Sequence, residues 1–157
     1  MDFINNMNKK IKVWEGSLDS PMKAAPEQIE KLKNSAPFKL PEDYIDFLLN
    51  TPDVVLASYI KDENEEHNGS TLNFYSMEEL LERNEECESY KMNPEEDIFV
   101  IGDELGDLVL LYGEGKNGFG IYYCEESCLD FDTAEYVCDS ITNMLINGKG
   151  LDTIYYG

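Results

Sequence analysis

Apolar positions recur at three- and four-residue spacing in four stretches of this 157-residue chain, and each stretch carries a start or stop signal that predicts a helix. Pro26 to about Ser35 opens with proline in its first turn and puts Ile29, Leu32 and Ala36 on one stripe. Pro41 to Asn50 again starts with proline. Glu42 and Asp43 follow where the helix dipole favours anions, and Tyr44, Phe47 and Leu48 form the apolar side. The breaker Ala36-Pro37-Phe38 between the two predicts a tight helical pair. The third helix has the strongest start signal: Ser76 and Glu79 have capping-box spacing, Tyr75 and Leu80 occupy hydrophobic-staple positions, and Met77, Leu80 and Leu81 make its apolar side. A last helix is expected from Asp132 or Thr133, with Val137, Ile141, Met144 and Leu145 on one stripe and a stop at Asn147-Gly148.

Between the helices lie short β-rich runs. Val54 to Ile60 is nearly all apolar and reads as a central strand, and Thr71 to Tyr75 alternates. Ile98 to Ile101, Leu108 to Tyr112 and Phe119 to Cys124 are joined by the turn segments Gly102 to Asp107 and Gly113 to Gly118, both short enough for antiparallel hairpins. Ile11 to Trp14 adds an edge strand, and Leu151 to Tyr156 another or an ordered tail. The last three main strands follow one another without the crossover helices a parallel sheet needs, so the pattern is α+β. With no repeat, linker or low-complexity block, residues 1–157 read as a single domain.

Charge changes the picture more than any motif. Thirty-three acidic residues stand against 12 basic ones, a net −21, with 42 % hydrophobic and 11 % aromatic content that argues against a disordered acidic tail. A polyanion of this size is not expected to bind DNA, RNA or anionic lipid, which need a positive surface. The charge is uneven. Residues 1–40 hold seven lysines against five acids, a net +2, and residues 41–157 hold five basic against 28 acidic residues, a net −23. The start of the chain has no apolar run behind a basic segment, no stretch has the length of a membrane span, and neither end carries a lipidation motif. A soluble cytoplasmic protein with Cys87, Cys124, Cys128 and Cys138 reduced is the expectation.

Candidate chemistry is thin. Cys124 and Cys128, with Cys87, Cys138 and His67, have no second ligand pair at matching spacing, and Cys138 fits the buried stripe of the last helix; no metal is expected. His67, the one partner available to a catalytic thiol, lies in the polar run Lys61 to Gly69 and reads as a loop tip. Pairs such as Glu125 and Glu126, or Asp103 and Asp107, arise from composition alone in so acidic a chain. Gly113 to Gly118 contains Lys116 but lacks the ending of a phosphate loop and precedes a strand, so it is a hairpin turn. No catalytic residue and no cofactor site is therefore expected.

Two acidic runs do stand out. Glu78, Glu79, Glu82, Glu85, Glu86, Glu88, Glu95, Glu96 and Asp97 lie on and after the third helix, and Glu125, Glu126, Asp130, Asp132, Glu135 and Asp139 surround the start of the last. A solvated surface is the plain explanation, but this excess far exceeds a working surface charge of about 2 to 8 for a small domain. Its self-repulsion would be relieved by a basic partner, whose association it would also steer.

Leu40-Pro41-Glu42-Asp43-Tyr44-Ile45-Asp46-Phe47-Leu48 resembles the Leu-Pro-x-x-Tyr-x-x-Phe-Leu helix of the SUKH superfamily, domains named partly for yeast cell-wall assembly regulators and abundant among bacterial immunity proteins. A preceding helix with Ile29-Glu30-Lys31-Leu32, and a strand and turn through Gly102, Gly106 and Asp107 followed by apolar strands and a closing helix, also match. The resemblance covers about residues 26–147 and leaves 1–25 as an N-terminal extension. Asn50-Thr51-Pro52-Asp53 replaces the Asn-Gly-Gly-like turn of the family. The resemblance implies an α+β domain with a mixed, mostly antiparallel sheet of about six strands and about four packed helices. It also implies protein binding rather than catalysis, and in bacterial members an antidote to a toxin, often a nuclease. A cognate, basic protein toxin is thus the expected partner. Glu82, Glu85, Glu86, Glu88, Glu125, Glu126, Asp130 and Asp132 are the expected binding acids, and Tyr90, Tyr122 and Tyr123 the candidate aromatic anchors. The alternative is an intracellular regulator or scaffold with no toxin.

Overall fold

The computed structural model describes residues 2–19, 25–53, 55–59, 71–105 and 107–155. Among these, seven strands form one antiparallel sheet in chain order: β1 (Ile11–Val13), β2 (Val55–Tyr59), β3 (Thr71–Phe74), β4 (Ile98–Asp103), β5 (Leu108–Gly115), β6 (Gly118–Glu125) and β7 (Glu135–Cys138). The helices are α1 (Glu15–Leu18), α2 (Pro26–Ser35), α3 (Glu42–Asn50), α4 (Met77–Tyr90), α5 (Ile141–Leu145) and α6 (Leu151–Tyr155), with a 3-10 turn at Glu126–Cys128. The class is α+β as expected, with one more strand than expected and no parallel strand pair among the described residues.

The middle of the sheet is buried on both sides, which explains the unbroken apolar runs of β4, β5 and β6. Neighbouring residues on a strand point to opposite faces. Phe99 meets the Tyr44 ring of α3 at 6.2 Å between centroids, while Val100 shares a small cavity with Cys87 of α4 and Leu129. Tyr44 also packs on Tyr112, and Phe47 on Phe74 and Phe3, so α3 seats an aromatic cluster on one face. The N-terminal extension is built into the fold, since Phe3 is wholly buried and β1 forms the sheet edge.

β3 pairs with β4 at only two positions, Asn73 with Asp103 and Phe74 with Gly102. The first half of β4 would be an open edge, and α4 covers it. Asn84 Oδ1 accepts from the Val100 N–H at 2.8 Å, and its Nδ2 donates to the carbonyls of Val100 at 2.9 Å and Leu80 at 2.8 Å. One side-chain amide thus substitutes for the missing strand partner.

Several expectations need correction. The helix expected over 132–147 is a strand followed by a short helix: Glu135–Cys138 pairs with β6, and Ser140 caps α5 by accepting from the Asn143 N–H at 3.1 Å. Tyr136 and Val137 fit a pleated surface, and the exposed hydrogen-bonding edge of β6 captures them. Leu151–Tyr155 is a helix, not a strand. Gly150 at φ +79° makes its turn, and a Cβ there would sit 2.2 Å from the Val137 carbonyl oxygen. β2 is the second strand from the edge rather than central, with Val55 and Ala57 buried; Val54 and Ile60 lie outside the described residues. α2 and α3 do not form a tight pair: α2 packs on α4, and α3 on α5, where the Asp43 carboxylate accepts from the Thr142 hydroxyl at 2.8 Å. The 113–118 turn is the expected hairpin, closed by Gly118 at φ +89°.

Replacing Asn84 by alanine removes all three hydrogen bonds and leaves the Val100 N–H and C=O without partners. The expected loss is about 2–3 kcal/mol of folding free energy, to be read from urea unfolding midpoints. A loss within error of zero would show that the β4 edge does not depend on this amide.

Candidate functional site

The acidic residues after Ser76 are displayed by a helix that is satisfied at both ends, at its C-terminus by the Lys91 N–H donating to the Cys87 carbonyl at 3.0 Å. Ser76 Oγ accepts from the Glu79 N–H at 3.2 Å, Asp53 Oδ1 accepts from the Met77 N–H at 3.4 Å, and the staple residues Tyr75 and Leu80 are buried. Met77, Leu80, Asn84 and Cys87 form the inward stripe, with Leu81 half-buried beside it. That periodicity leaves Glu82, Glu85, Glu86 and Glu88 exposed, and no basic residue stands in the last turn. Carboxylates near a helix C-terminus oppose the dipole, and Glu82 meets like charges at Glu78, Glu79, Glu85 and Glu86 at three- and four-residue spacing. This acid placement lowers the stability of α4.

The second acidic run divides in space. Glu126 reaches α4, where its carboxylate is 3.3 Å from the Arg83 guanidinium, which also lies over the Tyr75 ring at 5.6 Å. Asp130 and Asp132 lie beside the loop after α4. Leu129 bridges to Lys91, the Phe131 N–H donates to Glu96 Oε2 at 3.0 Å, and Lys116 Nζ donates to the Asp132 carbonyl at 2.9 Å. Glu125 opens on another side, rimming a cavity of about 430 Å³ with Tyr123, Glu135 and Thr153. Lys91 is an internal tie: its side chain is 6 % exposed, 3.0 Å from Glu88 Oε2 and 3.0 Å from the Glu96 carbonyl. The result is an acidic arc running from α4 through 93–97 to 126–132, with Arg83 and Lys91 already engaged inside it. The Glu88 to Lys91 spacing is legible in the sequence; the Arg83 to Glu126 contact, 43 residues apart, is not.

Burial raises the Glu96 pKa above its usual 4.5, and the charges of Asp130 and Asp132 add to the rise against the opposing Phe131 hydrogen bond. Burial pushes the Cys87 and Cys138 thiols up to about 11, so both stay protonated near neutrality. Cys124 is buried too, and Cys138 lies on β7 rather than on a helix. Among the described residues no group of three or more His, Cys, Asp or Glu side chains is placed to hold a metal ion; His67 and the Cys128 side chain lie outside them. No helix among them is long and apolar enough to cross a membrane. The aromatic anchors need correction. Tyr122 is 1 % exposed, with its hydroxyl donating to the Gly118 carbonyl, and Tyr123 is 8 % exposed and donates to Glu135. The Tyr90 side chain lies outside the described residues. Among the described residues the exposed large apolar side chains are instead Trp14, Leu49, Met92, Leu105 and Phe119.

The residues of the Leu-Pro-x-x-Tyr motif carry the helix-to-sheet contact: Leu40, Tyr44, Phe47 and Leu48 are buried and Pro41 caps α3. Gly102 lies where β3 meets β4, and the Asp107 carbonyl accepts from the Glu126 N–H at 2.7 Å; Gly106 lies outside the described residues. The family model of the SMI1/KNR4 family (SUKH-1) matches residues 23–147. The chain belongs to this family. No curated protein matches it. In this SUKH domain the departure at Asn50-Thr51-Pro52-Asp53 has its own closure: Thr51 is fully buried and its hydroxyl donates to the Phe47 carbonyl at 2.7 Å, while Asp53 caps α4.

The raised Glu96 pKa has a definite sign. The folded state takes up that proton more readily than the unfolded chain, so stability rises as pH falls from neutrality through the folded pKa, which lies above 4.5. Asp139, held down by its Asn143 hydrogen bond, and Asp2, held down by Asn5, oppose this only near and below 3.8. Urea midpoints are therefore expected to increase from neutral pH to about pH 5, and Glu96→Gln, which keeps an acceptor for Phe131, should raise the neutral midpoint and flatten the slope. An unchanged slope in that variant would assign the effect to other carboxylates.

Proposed function

We infer that this SUKH domain, taken as one unit over residues 1–157, is a non-catalytic protein-binding module of the cytoplasm. Its specific role is that of an immunity protein, which binds and neutralises a cognate, basic protein toxin. The observation that carries the reading is the acidic arc, built at a cost to α4, where carboxylates oppose the helix dipole and one another. Charges that lower the stability of the free protein are explained if a cationic partner compensates them. A nuclease is the natural candidate, since its nucleic-acid groove is basic and a folded carboxylate surface can occupy it in place of phosphates. Glu82, Glu85, Glu86 and Glu88, with Glu126, Asp130 and Asp132, supply the attraction; Glu125 contributes from the adjoining side. Met92, an exposed apolar side chain in the acidic segment after α4, replaces Tyr122 and Tyr123 as the anchor. Protonated, buried thiols at Cys87 and Cys138 support the non-catalytic part of the reading.

Co-expression with the toxin domain encoded beside the gene is the direct test. Survival of the cells and a 1:1 complex on purification are expected. Continued killing, with no association of the purified pair at low salt, would leave the regulator or scaffold role.

The charge argument has its own measurement. Changing Glu82, Glu85 and Glu86 together to Gln leaves the Glu88–Lys91 pair intact. It should raise the melting temperature by about 2–6 °C by removing charges from the wrong end of α4. The same variant should slow association with the toxin several-fold and reduce its salt dependence. An unchanged rate and salt slope would make this cluster a solvated surface only.

A further inference from the structure

On the side of α4 away from Glu126, the helix and α2 leave a groove of about 330 Å³. Leu81 of α4, Ile98 of β4 and Pro37 form its apolar lining; Glu85 and Glu88 stand on the α4 side, with Lys31 and Ser35 on the α2 side. Its size is at the lower end of ligand pockets, suited to a few side chains rather than a cofactor. We propose that this groove receives the apolar face of a cationic amphipathic helix of the partner, with lysine or arginine flanking the inserted side chains and facing Glu85 and Glu88. The proposal rests on the reading of the acidic arc as a binding surface, and assigns the apolar anchor site at its margin.

Charge complementarity selects the occupant. The α4 side of the groove belongs to the acid-rich helix, and among the described residues no ion pair engages Glu85. A larger groove of about 590 Å³ lies on the other side of α2, but there Lys33 and Lys39 outweigh Glu42, whereas Glu85 and Glu88 outweigh Lys31 in the groove beside α4, so a cationic segment is favoured at the latter. Backbone chemistry selects a helix over a strand. Asn84 already takes the Val100 N–H and C=O, so the β4 edge in the groove offers Ile98 alone, too little for strand addition. A helix with apolar residues at i, i+3, i+4 and i+7 satisfies its own backbone and brings only side chains to the lining.

The probe is a synthetic helix of leucine and lysine about 15 residues long, with leucines on one face, against a permutation of the same composition that scatters them, both titrated calorimetrically into the full chain at low salt. The amphipathic peptide is expected to bind about tenfold more tightly than its permutation. Ser35→Trp, which fills the groove from an exposed position, should remove that difference while the variant unfolds as cooperatively as the parent; Glu85→Lys should weaken the amphipathic peptide selectively. If both peptides bind equally, or Ser35→Trp leaves the preference intact, the groove assignment is wrong. In that case, weakening of both peptides by Asp130→Lys with Asp132→Lys would leave the acidic-arc reading standing. If neither peptide binds, both readings fall.

Discussion

Two hydrogen bonds between the Asn84 amide and Val100, one accepted from its N–H and one donated to its carbonyl, determine where the acidic helix sits. β3 leaves β4 after two residue pairs, and a half-open strand in the middle of a sheet must find partners for its backbone groups. A helix cannot pair with a strand through its own backbone, because its amides and carbonyls are used internally. It can do so through a short amide side chain directed inward, and Asn84 occupies that position on the stripe of Met77, Leu80 and Cys87. Once this contact is made, the rotation of α4 about its axis is set, and with it the outward direction of Glu82, Glu85, Glu86 and Glu88. The contact of Arg83 with Glu126, and that of Lys91 with Glu96, follow from the same rotation.

The charge distribution separates two uses of carboxylates. At the N-terminus of α3, Glu42 and Asp43 lie where the dipole favours them, and Asp43 reaches across to Thr142 to hold α5. These acids stabilise the fold. Glu82, Glu85 and Glu86 in α4 do the reverse, while Arg83 pairs with Glu126 and Lys91 with Glu88 without neutralising the arc. Salt bridges with one exposed partner contribute little stability, so Arg83 and Lys91 matter more for position than for energy.

Much of the fold was legible because its signals are local. Proline starts and apolar stripes located α2 and α3, Ser76 with Glu79 located α4, and two glycine-bearing turns located β4, β5 and β6. The region after Asp132 carries a helical pattern, since Val137, Ile141, Met144 and Leu145 satisfy that period, while the choice of strand for Glu135–Cys138 belongs to β6, which offers an edge. Tyr122 and Tyr123 illustrate the same difficulty in the candidate site. Their side chains point to opposite faces of a strand that is covered on both, which no pattern within ten residues reveals.

The sequence by itself determined the α+β class, the family, the excess of negative charge and its absence from the first 40 residues, since these depend on composition and on spacings of a few positions. Tertiary structure alone decided which acids share a surface. It joined Glu126 to α4 and Asp130 and Asp132 to the loop after it, sent Glu125 to another side, buried Tyr122 and Tyr123, and opened an apolar groove between α2 and α4. The physical reason is range: caps and turns are settled by neighbours along the chain, whereas a surface is assembled by strand pairing and by side-chain contacts between residues far apart in it, 16 positions for Asn84 and Val100, 35 for Glu96 and Phe131, and 43 for Arg83 and Glu126.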